Sequence, residues 1–302
     1  MANTTVKSWI SAFRLRTLPL ALASIGMGSF LAASVDHFKG GVFALCALTT
    51  IFLQILSNLA NDYGDTVNGA DSAERQGPSR AVQSGAISLS AMKKAIALFI
   101  VLSLVSGVGL LYLSLGFNWE TFLFFFGLGI LSILAAIAYT AGSKPYGYVG
   151  LGDISVLIFF GVVGVLGTFY LHTGSFDSWY TLPALSCGFF SIAVLNVNNI
   201  RDIESDKKAG KLSIPVRIGR SNAVKYHWFL LLAGIGCAVA FSITKFNSPW
   251  QFLFLITVPL LFRNGFAIAT NKEAGKLDPY LKQMALTTLL FVITFGVGLL
   301  LA

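Results

Sequence analysis

The stretch that organises this chain is SNLANDYGDTVNGADSAERQGPSRAVQSG, residues 57–85. It follows an apolar run of membrane-spanning length and turns abruptly into carboxylates, amides and arginines. If the apolar helix continues through it, Asn61 and Asp65 lie four residues apart on one face. Asn58 and Asp62 then form a second pair beside them. We therefore expect side-chain oxygen atoms to converge at one end of a membrane helix.

A second polar stretch repeats this arrangement in LNVNNIRDIESDKKAGKLSIPVRIGR, residues 195–220. Asn198, Asp202 and Asp206 follow at intervals of four and share one face if the segment is helical. Seven of the thirteen Asp and Glu lie within the two stretches, although these stretches make up a small part of the chain. This concentration predicts one shared site built from two acidic helix ends.

Composition places the chain in the membrane. Its 302 residues are 55% hydrophobic and only 11% charged, and the mean hydropathy is +0.76. So few charges cannot coat a soluble globule of this size. The net charge of +8 comes from basic residues between long apolar runs, which topology explains better than nucleic-acid binding does.

The cysteines and histidines do not indicate redox or zinc chemistry. Cys46, Cys187 and Cys237 lie singly inside apolar runs, so we interpret them as small buried residues. The three histidines lie far apart in sequence, near the ends of apolar runs. The usual zinc ligands are therefore not grouped.

Apolar runs predict nine transmembrane helices in one polytopic domain, residues 1–302. The first is an uncleaved helix of about eighteen residues that begins near Leu18, longer than the core of a secretory signal. The other eight are expected at roughly 41–61, 93–115, 120–140, 152–171, 180–200, 226–244, 250–270 and 284–302.

The basic residues predict the orientation. With nine spans, eighteen of the twenty-one Lys and Arg fall on the side of the N-terminus, and only Lys39 and Lys245 fall on the other side. Short loops rich in Lys and Arg stay in the cytoplasm. We therefore expect a cytoplasmic N-terminus, an external C-terminus, and both acidic stretches on the cytoplasmic side.

The chemistry of the two stretches favours a magnesium-bound diphosphate. Carboxylate and amide oxygens without His or Cys select a hard cation, and Mg²⁺ leaves coordination positions open for phosphate oxygens. Basic side chains surround the acids and suit a multiply charged anion. They are Arg75, Arg80, Lys144, Arg201, Lys207, Lys211 and Arg217.

These motifs resemble those of the UbiA superfamily of intramembrane aromatic prenyltransferases. The first motif is matched by Asn61–Asp65, Gly69, Asp71, Arg75, Gly77, Pro78, Arg80 and 84–85. The second is matched by Asn198–Asp202, Asp206, 210–211 and Pro215–Gly219. YTAGSKPYGYVGLGDISV at 139–156 and FRLRTLPLA at 13–21 resemble the branch that prenylates 1,4-dihydroxy-2-naphthoate in bacterial menaquinone biosynthesis. The chain departs from the wider superfamily at Gly69, where a third acid usually stands; here Asp71 comes two residues later.

The resemblance implies an all-α bundle of nine transmembrane helices around a central cavity, capped by cytoplasmic loops. It also implies location in the inner (cytoplasmic) membrane and two Mg²⁺ ions bridged by the diphosphate of a polyprenyl donor. The expected metal ligands are Asn61, Asp62, Asp65, Asp71, Asp202 and Asp206. The expected substrate-binding residues are Arg14, Arg16, Asn58, Arg75, Arg80, Asn198, Arg201 and Lys211. The expected catalytic residues are Asp65, Asp202, Lys144, Tyr139 and Asp153.

The role of Asp153 stays open: a general base, an orienting group and a helix N-terminal acid are all compatible with its position.

The expected partners are membrane lipid, the polyprenyl diphosphate and 1,4-dihydroxy-2-naphthoate. Neither nucleic acid nor an obligate protein partner is expected. The alternatives are another aromatic acceptor, such as 4-hydroxybenzoate, or a transporter. A transporter would carry ionisable residues along a mid-membrane path, whereas Arg263 is the one charge deep in a predicted span.

Overall fold

A computed structural model describes residues 6–69, 80–116 and 118–302. Within these ranges the chain consists of helices, turns and bends, without a strand. Nine helical stretches in the described residues are long and apolar enough to cross a membrane. The expected all-α membrane fold is confirmed.

The helices are the following, in chain order: α1 Val6–Phe13, α2 Leu18–Ala33, α3 Gly40–Val67, α4 Leu89–Leu115, α5 Trp119–Ala138, α6 Gly152–Val156, α7 Thr168–Thr173, α8 Thr181–Arg201, α9 Ile203–Lys208, α10 Ile214–Thr244, α11 Val258–Thr270 and α12 Asp278–Leu300. A π-helical segment, Leu157–Gly167, joins α6 to α7, and the 3₁₀ segment Pro249–Thr257 leads into α11.

Two helices extend further toward the acidic stretches than hydropathy predicts. The helix α3 continues to Val67 instead of ending near residue 61, so the whole first motif up to Asp65 is helical. The helix α10 begins at Ile214 instead of near residue 226 and is kinked at Gly219, where φ is 76°. Hydropathy marks where a helix leaves lipid, whereas hydrogen-bonded helix continues beyond that point.

The first span is interrupted beside the first motif. Arg14 separates α1 from α2 in a left-handed conformation, with φ 48° and ψ 54°, which non-glycine residues adopt rarely. The Asn58 amide on α3 donates to the Phe13 carbonyl oxygen at 3.0 Å and to Thr17 Oγ1 at 3.1 Å. The helix α3 thus holds this break in place.

The helices α2, α10 and α12 and the π-helical segment pack against α8, the most deeply buried span, whereas α5 is the most exposed. The core beside α8 includes the buried rings of Phe190, Phe254 and Phe291. Small residues let the π-helical segment approach α8 closely: a Cβ on Gly161 would lie 2.9 Å from the Ala184 carbonyl oxygen. A smaller core around Leu56 joins α3 to α4. A large cavity lies between this smaller core and the core beside α8.

Candidate active site

The cavity has a volume of about 440 Å³ and is enclosed mainly by α2 to α8. Lining residues on α3 run from Cys46 to Asp65, which corresponds to about 28 Å along a helix. That length approaches the thickness of a bilayer's hydrocarbon core. One end is polar and the rest is mostly apolar. The polar end is lined by Arg14, Arg16, Asn58, Asn61, Asp65, Arg80, Asn198, Asn199 and Lys211.

Asp65 is buried at the polar end and held by two distant residues. Arg80 Nη2 lies 2.7 Å from Asp65 Oδ2, and the Tyr148 hydroxyl donates to Asp65 Oδ1 at 2.8 Å. The preceding residue, Gly64, lies against Thr140, and a Cβ there would lie 2.6 Å from the Thr140 carbonyl. Asn61 accepts a hydrogen bond from Thr140 Oγ1 at 3.0 Å. The end of α3 is thus fixed against the 139–156 block.

The second motif holds its acids with nearby partners. Arg201 donates from Nε to Asp202 Oδ1 at 2.8 Å and from Nη2 to Asp202 Oδ2 at 2.7 Å. The same Nη2 donates to Asn198 Oδ1 at 2.8 Å. Asp206 lies 3.4 Å from Lys211 Nζ. A bidentate arginine and a lysine therefore organise three of the predicted oxygen donors.

The two motifs share one electrostatic environment. Burial raises the pKa of Asp206 to about 6, against the opposing effect of Lys211, and Asp202 and Asp65 raise it further. Burial alone would lower the pKa of Lys211, but Asp206, Asp65 and Asp202 together raise it. Lys211 Nζ also lies 5.9 Å from the centre of the Tyr148 ring. Carboxylates from both motifs thus act on one buried ammonium group.

Two tyrosines of the 139–156 block line the cavity near Asp65. Burial raises the pKa of Tyr139, and so do the charges of Asp65 and Asp153. The Tyr139 phenol therefore stays protonated. The Tyr146 hydroxyl donates to the Ala135 carbonyl oxygen at 2.9 Å and pairs with Ser155 Oγ at 2.9 Å. Aromatic walls thus lie between the acids and the apolar part of the cavity.

The family model of the UbiA prenyltransferase family matches residues 21–289. The chain belongs to this family. A 1,4-dihydroxy-2-naphthoate octaprenyltransferase of Haemophilus influenzae is 47% identical over 302 residues, covering 99% of this chain and 98% of the relative. Its namesake in Escherichia coli is 43% identical over 291 residues, covering 95% and 94%. A solved UbiA homolog from Archaeoglobus fulgidus bound to DMAPP and Mg²⁺ has a similar fold, with a TM-score of 0.66 at 16% identity, covering 98% of this chain and 100% of that one.

The donor set of this UbiA family member fits a hard divalent cation. Asp206 Oδ2 is buried and has no hydrogen-bond partner among the residues that the structure describes, which suits a cation. Oxygen donors alone select Mg²⁺ over softer metals. No group of three or more His, Cys, Asp or Glu in the described ranges is close enough to form a compact metal cluster. Among the predicted acids that the structure describes, Asp65 lines the cavity, whereas Asp202 and Asp206 do not line it and are paired with Arg201 and Lys211.

Four predicted site residues lie elsewhere than expected. Both carboxylate oxygens of Asp62 accept backbone N–H groups, from Ala81 at 3.1 Å and Val82 at 3.3 Å, so Asp62 anchors a loop instead of facing the cavity. Lys144 is exposed on its loop, away from the cavity wall.

Arg201 does not line the cavity. Its side chain is 1% exposed and donates to the carboxylates of Asp202 and Asp278 and to the amide oxygen of Asn198. Asp153 is buried outside the cavity wall, and its Oδ2 accepts a hydrogen bond from the Tyr226 hydroxyl at 2.8 Å. Asp71 and Arg75 lie outside the described residues, and their assignments stay predictions.

The sequence does not predict the roles of three residues at the site. Tyr148, in the 139–156 block, donates to Asp65 and lies near Lys211. Asn199 lines the cavity beside Asn198. Asp278, at the start of α12, lies 2.6 Å from Arg201 Nη1. The one signal for Asp278 was its position as an acid at the start of the last span.

Proposed function

We propose that this protein transfers a polyprenyl group from polyprenyl diphosphate to 1,4-dihydroxy-2-naphthoate, with loss of carbon dioxide and dependence on Mg²⁺. The observation that carries the proposal is a cavity about 28 Å long with an acidic and basic end and a mostly apolar remainder. A diphosphate with a long isoprenoid tail has this same division of polarity. The acceptor and the menaquinone pathway follow from the relatives at 43% and 47% identity.

The diphosphate is assigned to the polar end. Arg80 and Lys211 are the wall cations beside the acids, and Asn61, Asp65, Asp202 and Asp206 are the residues that would hold Mg²⁺. When bound, Mg²⁺ supplies positive charge that stabilises the diphosphate as a leaving group. Arg80 and Lys211 lie where negative charge develops when the allylic carbon–oxygen bond breaks. The acids thus serve the leaving group indirectly.

The allylic cation is assigned to the junction between the polar and apolar parts. Tyr139 and Tyr146 line the cavity there, and aromatic faces stabilise a cation while excluding water. Because the pKa of Tyr139 is raised, this phenol provides a wall and a hydrogen-bond donor instead of a base. The tail then extends along apolar residues such as Phe125 and Phe160.

The acceptor carboxylate is assigned to Arg14 or Arg16. Both line the polar end, whereas Lys144 is exposed and does not line the cavity. Attack by the ring carbon that bears the carboxylate forms the new carbon–carbon bond and leaves that carbon saturated. A ring hydroxyl loses its proton during attack and becomes a ketone. Loss of carbon dioxide then returns the bonding electron pair through the ring to that oxygen, which takes a proton back. The quinol formed is recovered as demethylmenaquinone after oxidation.

A labelling experiment tests the proposal. Purified protein is incubated with carboxyl-labelled dihydroxynaphthoate, a polyprenyl diphosphate and Mg²⁺, and labelled carbon dioxide should appear in step with the prenylated product. 4-Hydroxybenzoate is offered as a competing acceptor. Prenylated 4-hydroxybenzoate with its carboxylate retained, and no naphthoate turnover, would refute the naphthoate assignment but leave the family mechanism intact.

We also propose a single domain, 1–302, in the inner (cytoplasmic) membrane, with the polar end of the cavity on the cytoplasmic side. Nine crossings put the N-terminus and the C-terminus on opposite sides, and the positive charges favour a cytoplasmic N-terminus. Reporter fusions after Lys208 should report the cytoplasm, and fusions at Ser175 and at the C-terminus should report the outside. A cytoplasmic signal at Ser175 would refute this orientation.

A further inference from the structure

A single carboxylate at the start of α12 joins two arginines from distant parts of the chain. Asp278 Oδ1 lies 2.6 Å from Arg201 Nη1, and Asp278 Oδ2 lies 3.0 Å from Arg16 Nη1. The side chain of Asp278 is 31% exposed. It therefore lies at the rim of the polar end, between the first span and the second acidic motif.

Arg201 depends on this carboxylate. Its side chain is 1% exposed, and its other donors go to Asp202 and Asn198. A buried guanidinium that loses one charged partner is destabilised and rearranges. The orientation of Asp202, a proposed metal ligand, therefore depends on Asp278 through Arg201.

Arg16 depends on the same carboxylate from the other side. Arg16 lines the cavity and lies within the first span, two residues after the break at Arg14. Its side chain is 32% exposed, so surrounding packing alone leaves a long flexible side chain free to move. The ion pair with Asp278 holds the Arg16 guanidinium in place.

We propose that Asp278 is a positioning residue shared by the two halves of the site: through Arg16 it orients the aromatic acceptor, and through Arg201 it orients the metal-binding acid Asp202. This inference rests on the proposed function for the identity of the acceptor. It makes acceptor binding and metal binding depend on one side chain that touches neither. A plain helix N-terminal acid would instead affect only the stability of α12.

The test compares Asp278→Asn with wild type in steady-state turnover. Removing the charge should raise the KM for the acceptor and the Mg²⁺ concentration for half-maximal activity about tenfold each, the usual size of an effect transmitted through a ligand's partner. Asp278→Glu, which restores the charge, should recover most of both. A variant with unchanged KM and unchanged Mg²⁺ requirement, or with a lowered kcat alone, would overturn the proposal.

A second measurement needs no turnover. Mg²⁺ alone is titrated while the Tm of the detergent-solubilised protein is followed, because a cation that binds the folded state raises Tm. The Asp278→Asn midpoint should lie about tenfold above that of wild type. If wild type fails to turn over the naphthoate, the proposed function is wrong. The Mg²⁺ titration still tests whether Asp278 orients Asp202 through Arg201.

Control variants separate the proposed role of Asp278 from effects of local charge loss or of misfolding. Glu273→Gln breaks an exposed ion pair with Lys276 a few residues before α12 and should leave KM and the Mg²⁺ midpoint unchanged. Asp278→Ser removes the carboxylate but keeps a residue favoured at helix starts, so it replaces Asp278→Asn if that variant does not fold. Combining Arg16→Gln with Asp278→Asn should raise the acceptor KM no further than the larger single effect. If the two substitutions together raise KM by the product of their single effects, Asp278 does not act on the acceptor through Arg16.

Discussion

The two acidic motifs hold their carboxylates in opposite ways. In the first, Asp65 is bound by residues 15 and 83 positions away, Arg80 and Tyr148. In the second, Asp202 is bound by its immediate neighbour Arg201, and Asp206 by Lys211 within the same short segment. The first motif is therefore assembled by the tertiary fold. The second is assembled largely by local structure at the end of α8.

This difference has a functional meaning. Tyr148 bonds Asp65 and lies against Lys211, so the 139–156 block ties the tertiary motif to the local one. The backbone carbonyl oxygen of Tyr148 also accepts a hydrogen bond from the Leu212 N–H at 2.8 Å. Disturbing the first motif should therefore affect folding and chemistry together, whereas disturbing the second should affect mainly chemistry.

The largest expected effect comes from removing one charge in each motif. Asp65→Asn and Asp202→Asn should each lower turnover about 10²-fold or more, because each weakens stabilisation of charge on the leaving diphosphate. Turnover is measured on protein that elutes as folded from size exclusion. Asp177→Asn, an exposed acid paired with Lys245 at 3.5 Å, serves as control. Near-normal turnover in either motif variant would remove that acid from the site.

The next effect tests the tertiary packing of the first motif. Gly64→Ala places a Cβ 2.6 Å from the Thr140 carbonyl, and such overpacking costs about 1–3 kcal/mol. A lower Tm and lower turnover are expected together. Gly109→Ala is the control, since no described atom lies within 4 Å of a Cβ there. Equal Tm values for the two variants would show that the contact with Thr140 is not tight.

A smaller effect tests the link between the motifs. Tyr148→Phe removes the hydroxyl that bonds Asp65 but keeps the ring near Lys211. The Mg²⁺ concentration for half-maximal activity should rise about tenfold, and Tm should fall because a buried carboxylate loses a hydrogen-bond donor. Tyr112→Phe, an exposed position on α4, should behave as wild type. If Tyr148→Phe also behaves as wild type, Asp65 needs only Arg80.

The smallest effect concerns pH and the second motif. Burial raises the pKa of Asp206 to about 6, so this carboxyl takes up a proton as the pH falls through that value. A protonated carboxyl is a poor metal ligand, so the Mg²⁺ midpoint should rise toward about tenfold per pH unit below pH 6. Tm titrations with Mg²⁺ alone from pH 8 to 5 measure this. Asp206→Asn should lose the dependence, and a flat wild-type midpoint would argue against Asp206 as a ligand.

Hydropathy and charge predicted the nine spans, and four-residue spacing predicted that Asn61 and Asp65 share a face, because these features are local. Spacing could not distinguish Asp65 from Asp62, since the amides of Ala81 and Val82 that bind Asp62 reach it only in the folded chain. Lys144 and Lys211 both stand among motif residues in the sequence, yet Lys144 is exposed and Lys211 is buried. Asp278 could not be recognised because its partners lie 77 and 262 residues away.

The length of the cavity has a consequence for how this protein's kinetics are described. In the orientation proposed above, its apolar part lies within the depth of the bilayer and its polar end at one boundary. A donor with an isoprenoid tail is therefore presented from the lipid phase, where its availability is a mole fraction among lipids and not an aqueous molarity. Adding inert lipid at constant total donor dilutes that donor in two dimensions. Its Michaelis constant is thus a surface concentration, whereas those of Mg²⁺ and of the aromatic acceptor are ordinary concentrations in water.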